Sequence, residues 1–188
     1  MIRIIDVNIL DKVLLKISMP WAPNCSAVSP NQNLFLSVGD SDNALIKSTD
    51  TGKTIHTLTG HRDHSFACCW SPCGRYVVTG SQDLTARLYD MRNLSEAFCV
   101  LPSKMGPFRS MSFDPTGTFL ALNEQADFVQ IYDPKRLDRC QLIDFFGEVA
   151  GCAWNASGSK LYIGVADSKI GGIFEYKRTK DDENLDYW

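Results

Sequence analysis

Short runs in which apolar residues alternate with polar ones recur along the chain, each closed by a cluster of Gly, Pro, Ser, Asn or Asp. A period of two over a handful of residues, bounded by turn formers, is the signature of a half-buried β-strand. The clearest run spans 60–92, GHRDHSFACCWSPCGRYVVTGSQDLTARLYDMR. It opens on Gly60-His61, leads through an apolar segment to Cys69-Trp70, and turns at Ser71-Pro72-Cys73-Gly74. It then alternates through Tyr76, Val77, Val78 and Thr79 to a second turn at Ser81-Gln82-Asp83, and closes on 86–90. Three strands joined by tight turns predict an antiparallel meander.

The same order of signals returns along the chain. Pro30, Pro72 and Pro115 are separated by 42 and 43 residues, and Asn155-Ala156 takes the equivalent place 41 residues further on. First strands are predicted at 25–28, 66–70, 108–113 and 149–154, and second strands at 34–38, 76–79, 119–122 and 161–165. Third strands follow at 44–48, 85–89, 128–132 and 172–176, with outer strands at 54–58, 97–101 and 140–145. Residues 2–7 read as a third strand whose unit lacks its beginning, with 13–18 as its outer strand.

A repeat of about 40–45 residues with these landmarks resembles the WD-repeat family, whose unit is one four-stranded blade of a β-propeller. Gly60-His61, Ser71-Pro72, Gly74, Thr79, Asp83 and Tyr89-Asp90 carry the resemblance. The segments HRDHSFA, 126–133 (ADFVQIYD) and 143–148 (IDFFGE) are similar to a poorly characterised group of WD-repeat proteins from fungi and plants. The expected fold is therefore all-β, a WD-type propeller with about four blades present. The expected division is a half blade at 1–18, complete blades at 23–58, 65–101 and 108–145, an incomplete blade at 149–176, and a charged tail at 177–188. The resemblance implies a ring of about seven blades, so this reads as part of a larger propeller. The entry in mid-blade favours a piece of a longer chain; were the chain whole, self-association would have to complete the ring.

Composition narrows the function. Apolar residues make up 44% and charged residues 22%, which is globular, and no apolar run approaches the length of a membrane helix. A net charge of −3 without clustered Lys and Arg argues against nucleic-acid binding. The opening MIRIIDVNIL is unlike a secretory leader, and seven scattered cysteines suit a reducing compartment, so cytoplasm or nucleus is expected and no disulfide framework.

Several residues invite a chemical reading. His61, Thr79 and Asp83 are an imidazole, a hydroxyl and a carboxylate, as nucleophilic catalysis uses. The resemblance implies instead a structural tetrad, His61, Thr79, Asp83 and Tyr89, linked by buried hydrogen bonds, with Tyr89 in place of the usual Trp. The other units depart from that pattern: Asp42 with Ser48, Asp127 with Tyr132 but no loop His, and Asp167 with Tyr176. His61, His64, Cys68, Cys69 and Cys73 suggest zinc, but adjacent Cys68 and Cys69 on a strand point to opposite faces, and no metal or other cofactor is expected. Residues 77–92 resemble the DWD box of WD-repeat substrate receptors in cullin-RING ubiquitin ligases, with Arg92 as the residue beyond the bare repeat. No phosphate loop, nucleophile elbow or metal motif is present, so a noncatalytic scaffold for protein or peptide partners is expected. In such folds loops carry the contacts. The resemblance maps one face onto His64, Ser65, Gln82, Arg109, Gln125 and Glu148, with a cullin adaptor as the alternative partner through Arg92.

Overall fold

The computed structural model describes residues 1–167, 169 and 171–178; the expected tail lies outside the described residues from 179 onward. All repeating structure among the described residues is β-strand, and no helix is long and apolar enough to cross a membrane. Strands β1 (Ile2–Asp6) and β2 (Ile9–Ile17) form a two-stranded hairpin. A four-stranded sheet follows, made of β3 (Pro23–Val28), β4 (Leu34–Gly39), β5 (Ala44–Ser48) and β6 (Thr54–Leu58) in sequential order. The next contains β7 (Ser65–Trp70), β8 (Tyr76–Ser81), β9 (Thr85–Asp90) and β10 (Cys99–Pro102). A six-stranded sheet completes the described chain: β11 (Phe108–Phe113), β12 (Leu120–Glu124), β13 (Ala126–Asp133), β14 (Arg136–Trp154), β15 (Lys160–Ala166) and β16 (Gly172–Lys177). Every pairing is antiparallel between sequence neighbours.

One hairpin is built four times from one device. At Ser29, Ser71, Asp114 and Asn155 a side-chain oxygen accepts the backbone N–H five residues on, at 2.7–3.0 Å. The carbonyl of the same residue accepts the N–H three residues on, at 2.8–3.0 Å. That closes a tight turn whose third step is left-handed, at Gln32 (φ 63), Gly74 (φ 71), Gly117 (φ 72) and Gly158 (φ 69). Three of the four are glycine because a Cβ is disfavoured there.

The second four-stranded sheet is apolar on both faces and buries one against each neighbour in the chain. In β8, Val77 faces the first four-stranded sheet with Tyr89, Leu36, Val38 and Ile46, whereas Val78 faces the third module with Leu88, Phe108, Leu120 and Leu122. The period-two alternation of strand side chains thus feeds two cores at once. Trp70 ties two modules by donating its indole N–H to the Ala27 carbonyl at 2.9 Å, and Trp154 repeats the bond to Ser112 at 3.4 Å. Gly80 lies against the third module; a Cβ there would lie 2.6 Å from Met111 Cε and 2.9 Å from the Cβ of Phe108.

The third and fourth units are not separate sheets. A break is expected between 145 and 149, yet β14 runs unbroken for 19 residues, pairing with β13 at one end and β15 at the other. The reason is local: 140–154 contains no proline, and the strand bends without leaving the ladder. Phe146 takes up the bend at φ 48, and register shifts near Phe128 and Val149 accompany it. Such bulges curl a sheet. The curl brings Ala121, Val129 and Phe145 onto Val149, Leu161, Ile163 and Val165 as a third core.

Phe108 is fully buried between the second and third modules, whereas Phe98 is half exposed. Phe108→Ala should cost about 3–5 kcal/mol, read as a lower urea midpoint at unchanged slope, and Phe98→Ala about 1 kcal/mol or less.

Candidate functional site

The second module holds a buried polar chain. Gly60 and the loop after β6 bring His61 over the end of β8, where its Nδ1 lies 2.9 Å from Asp83 Oδ2 and its Nε2 lies 2.9 Å from Thr79 Oγ1. A carboxylate only accepts, so Nδ1 carries the proton and donates to Asp83, and Thr79 donates its hydroxyl to Nε2. Asp83 also accepts the Arg62 amide at 3.0 Å, the Thr85 amide at 3.0 Å and the Thr85 hydroxyl at 2.6 Å. Burial holds His61 below its ordinary 6.5, despite the Asp83 carboxylate. Burial would raise Asp83, but the Thr85, His61 and Arg62 donors outweigh it and hold the carboxyl below the usual range. The Tyr89 side chain comes up to the Thr79 hydroxyl, and its own hydroxyl donates to the Thr59 carbonyl at 2.9 Å, fastening the loop that carries His61.

Chemically, this arrangement is closed. Both imidazole nitrogens are spent, the hydroxyl of Thr79 is committed to the ring, and the His61 and Asp83 side chains are 2% and 8% exposed. A nucleophile and base that no substrate can reach do no chemistry. Among the described residues no three His, Cys, Asp or Glu side chains come together as a metal site, and Cys68 and Cys69 are buried within β7.

The third module solves the same problem with residues that the sequence reading passes over. Glu124 and Gln130 are fully buried. The carboxylate of Glu124 accepts the amides of Lys104, Met105 and Gly106 at 2.8, 2.8 and 3.0 Å, and the Gln130 amide at 2.6 Å. Tyr132 donates to Gln130 at 2.6 Å. Glu124 thus holds the 103–107 loop much as His61 and Ser81 hold the loop before β7, where the Ser81 hydroxyl donates to the carbonyls of Asp63 and His64. A charged residue closing the apolar strand LALNE, with a glutamine inside FVQIY, is the signal that was available.

Above these anchors, the end of the sheets bearing turns 82–84 and 125 presents His64, Gln82, Arg109, Gln125 and Glu148, all exposed. The Gln82 amide donates to the His64 carbonyl at 2.8 Å, Arg109 bonds Gln125, and Glu148 pairs with Ala126 on the neighbouring strand. Ser65 does not join them: it opens β7 with its side chain turned inward and fully buried, which corrects its reading as a surface contact. Arg92 lies at the opposite end, beside the 71–75 turn. Its Nε and Nη2 grip Asp90 at 2.8–3.2 Å, and Arg75 shares that carboxylate at 3.0 Å. The two arginines, Asp90, Glu96, Tyr76 and Phe98 help line an open groove of about 540 Å³.

Two substitutions test the anchors. Asp83→Asn should cost about 1.5–3 kcal/mol, and Glu124→Ala at least about 3 kcal/mol because buried amides lose their acceptor, both read as lower urea midpoints. The pH dependence has one sign. Both folded pKa values are depressed, so the stabilisation from His61 is full above about 6.5 and is lost as pH falls through its folded value; that of Asp83 is lost below about 3.9. The melting temperature should fall on acidification below pH 6.5, and His61→Gln should flatten that first decline.

Residues 52–90 match the family model described as WD domain, G-beta repeat. The chain is 30% identical over 141 residues to Protein SOF1 of Saccharomyces cerevisiae, a match covering 70% of this chain and 27% of that protein. It is 42% identical over 52 residues to WD repeat-containing protein 37 of Homo sapiens, covering 28% of this chain and 10% of that one. A third relative is Activating molecule in BECN1-regulated autophagy protein 1A of Danio rerio, 27% identical over 111 residues, 57% of this chain and 8% of the relative. The chain thus spans about a quarter or less of the length of these curated relatives. A repeated four-stranded meander with sheets stacked in chain order, a match to the family model and relatives that carry the same repeat lead to one conclusion: this chain belongs to the WD-repeat family and forms part of a β-propeller.

Proposed function

We propose that the chain is a noncatalytic adaptor that docks protein or peptide partners on the end of the sheets bearing His64, Gln82, Arg109, Gln125 and Glu148. WD-repeat proteins generally act as protein-interaction scaffolds, and this reading places that role on one face. The observation that carries it is the contrast between the two layers. The buried polar groups of His61, Asp83 and Glu124 are committed to holding loops, while the side chains above them are exposed and differ from module to module. Rigid backbone beneath varied side chains suits recognition, since few contacts must be ordered when a partner arrives. Residence in cytoplasm or nucleus accords with this role.

The receptor reading, a cullin-ligase adaptor bound through 77–92, rests on Arg92. That guanidinium is 68% exposed and held in a fixed pose by Asp90, which favours a planar acceptor on a partner. The two readings separate in one experiment. Full-length chain is immobilised and its retained partners are quantified for three forms: wild type, the triple variant His64→Ala, Gln82→Ala and Gln125→Ala, and Arg92→Ala. The face reading expects the triple variant to lose most of the bound protein and Arg92→Ala to keep it. Loss confined to a cullin adaptor in Arg92→Ala would instead support the receptor reading, and full retention by the triple variant would sink the face reading.

A further inference from the structure

Arg109, unlike Arg75 and Arg92, has no carboxylate partner among the described residues. It is exposed near the start of β11, on the face assigned above to partners. Its guanidinium carbon lies 3.8 Å from the centre of the Phe66 ring on β7, so the cation is stacked across the boundary between two modules. Its Nε and Nη2 both donate to Gln125 Oε1, at 3.3 and 3.0 Å. Arg75 and Arg92, by contrast, share Asp90. No ion pair to Arg109 occurs among the described residues.

That arrangement leaves one edge of the guanidinium unused. A guanidinium offers five N–H donors along two forked edges. The edge made by Nε and Nη2 is closed by the neutral amide of Gln125, and the edge made by Nη1 and Nη2 remains open. The stack and the amide fix the plane of the group, so little side-chain freedom is left to lose on binding. The positive charge itself is not neutralised, because an aromatic face and an amide oxygen carry none.

Two exposed aliphatic side chains, Leu84 at 46% and Met105 at 64% exposure, lie on loops at the same end of the sheets. The Ser103 amide ties their two loops together by donating to the Leu84 carbonyl at 2.9 Å. Met105 belongs to the loop that Glu124 pins, and Gln125 donates its amide to the Pro107 carbonyl of that loop at 2.9 Å, which joins the aliphatic pair to Arg109. Leu84 is held at φ 64, a left-handed conformation that a branched aliphatic residue adopts only at a cost of about 1 kcal/mol or more.

We infer that this patch captures a peptide segment in which an Asp or Glu carboxylate lies beside an aliphatic or aromatic residue, the carboxylate entering the open fork of Arg109 and the apolar side chain covering Leu84 and Met105. The inference rests on the reading of this face as the docking face. A polyanion is the poorer fit: Arg109 is held in one orientation, the exposed Arg62 and Lys104 on the neighbouring loops are offset by the exposed Asp63 and Glu148, and the chain carries a net charge of −3, which matches one carboxylate better than a phosphate backbone.

The test is selection from a phage-displayed library of random dodecapeptides on the immobilised full chain, followed by anisotropy with a fluorescein-labelled synthetic copy of the leading peptide. The expected consensus holds an Asp or Glu next to Leu, Ile, Val, Met or Phe. Replacing that acid by its amide, or Arg109→Gln in the protein, should each weaken binding at least tenfold, with little further loss when the two are combined. Arg109→Lys, which keeps the charge and loses the fork, should recover only part of the affinity. Circular dichroism must show both variants folded, as an exposed position predicts. The inference fails if the consensus is neutral or basic, if no peptide is enriched, if the acidic peptide binds Arg109→Gln as tightly as wild type, or if a phosphoserine replacement binds more than tenfold tighter than the acid. Those failures leave the adaptor reading to its own test, since retention of partners through His64, Gln82 and Gln125 does not require an acidic peptide.

Discussion

No module in this molecule has a core of its own. A four-stranded sheet with Val77 and Tyr89 on one face and Val78 and Leu88 on the other buries neither face unless a sheet stands on each side of it. Burial of each such side chain is worth about 1.5–3 kcal/mol, more than the roughly 0.5–1.5 kcal/mol of a typical neutral hydrogen bond, and many such side chains are involved, so stacking along the chain is the term on which the others rest. The same requirement explains where apolar surface stays open. Ile173 at 79% exposure lies on β16, and Val7 at 83% lies in the turn of the first hairpin, the two extremes of the described stack. Stability in such an array is close to a sum of repeats and the interfaces between them, so a defect at one interface is felt mainly by its two neighbours.

Stacking leaves the sheets free to slide, and the polar groups remove that freedom. Trp70 and Trp154 each reach back to a carbonyl of the preceding inner strand, which sets the offset between modules in a way that apolar contact alone does not. Tyr89 works at both levels: its ring fills the core shared with the first sheet, and its hydroxyl holds the Thr59 carbonyl at the root of the loop that delivers His61. A satisfied buried network specifies one arrangement among several of similar apolar area.

The period of the chain was legible because it is punctuated by chemistry that acts within a few residues. Ser29, Ser71, Asp114 and Asn155 each cap a turn by a bond to a residue five positions on, so the pattern survives in sequence and the hairpins fall where their spacing predicts. What was not legible depends on distant partners. Glu124 looks like an exposed end of a strand until the amides of Lys104, Met105 and Gly106 are seen folded onto it. The inward turn of Ser65 and the bond from Tyr89 to the Thr59 carbonyl are likewise set by tertiary placement. The unbroken course of β14 escaped for a different reason: Phe146-Gly147 reads as a loop by composition, and only the ladders to β13 and β15 show that the bend stays within the strand. The family resemblance located His61, Thr79 and Asp83, but which atoms they join is a matter of geometry that one sequence does not contain.

The division of labour between polar groups decides the kind of function this chain can perform. A reactive site needs a group whose bonding capacity is unfilled and reachable, with its pKa tuned to trade protons near neutrality. His61 has a shifted pKa but no free nitrogen and almost no exposure, so the perturbation reports a structural role. Arg109 has the opposite character: it is reachable, its orientation is fixed by Phe66 and Gln125, and its charge is unspent. A guanidinium in that state offers fixed N–H donors to an acceptor on a partner. The His61 network is sealed while the Arg109 donors are reachable, so this end of the sheets is suited to recognition.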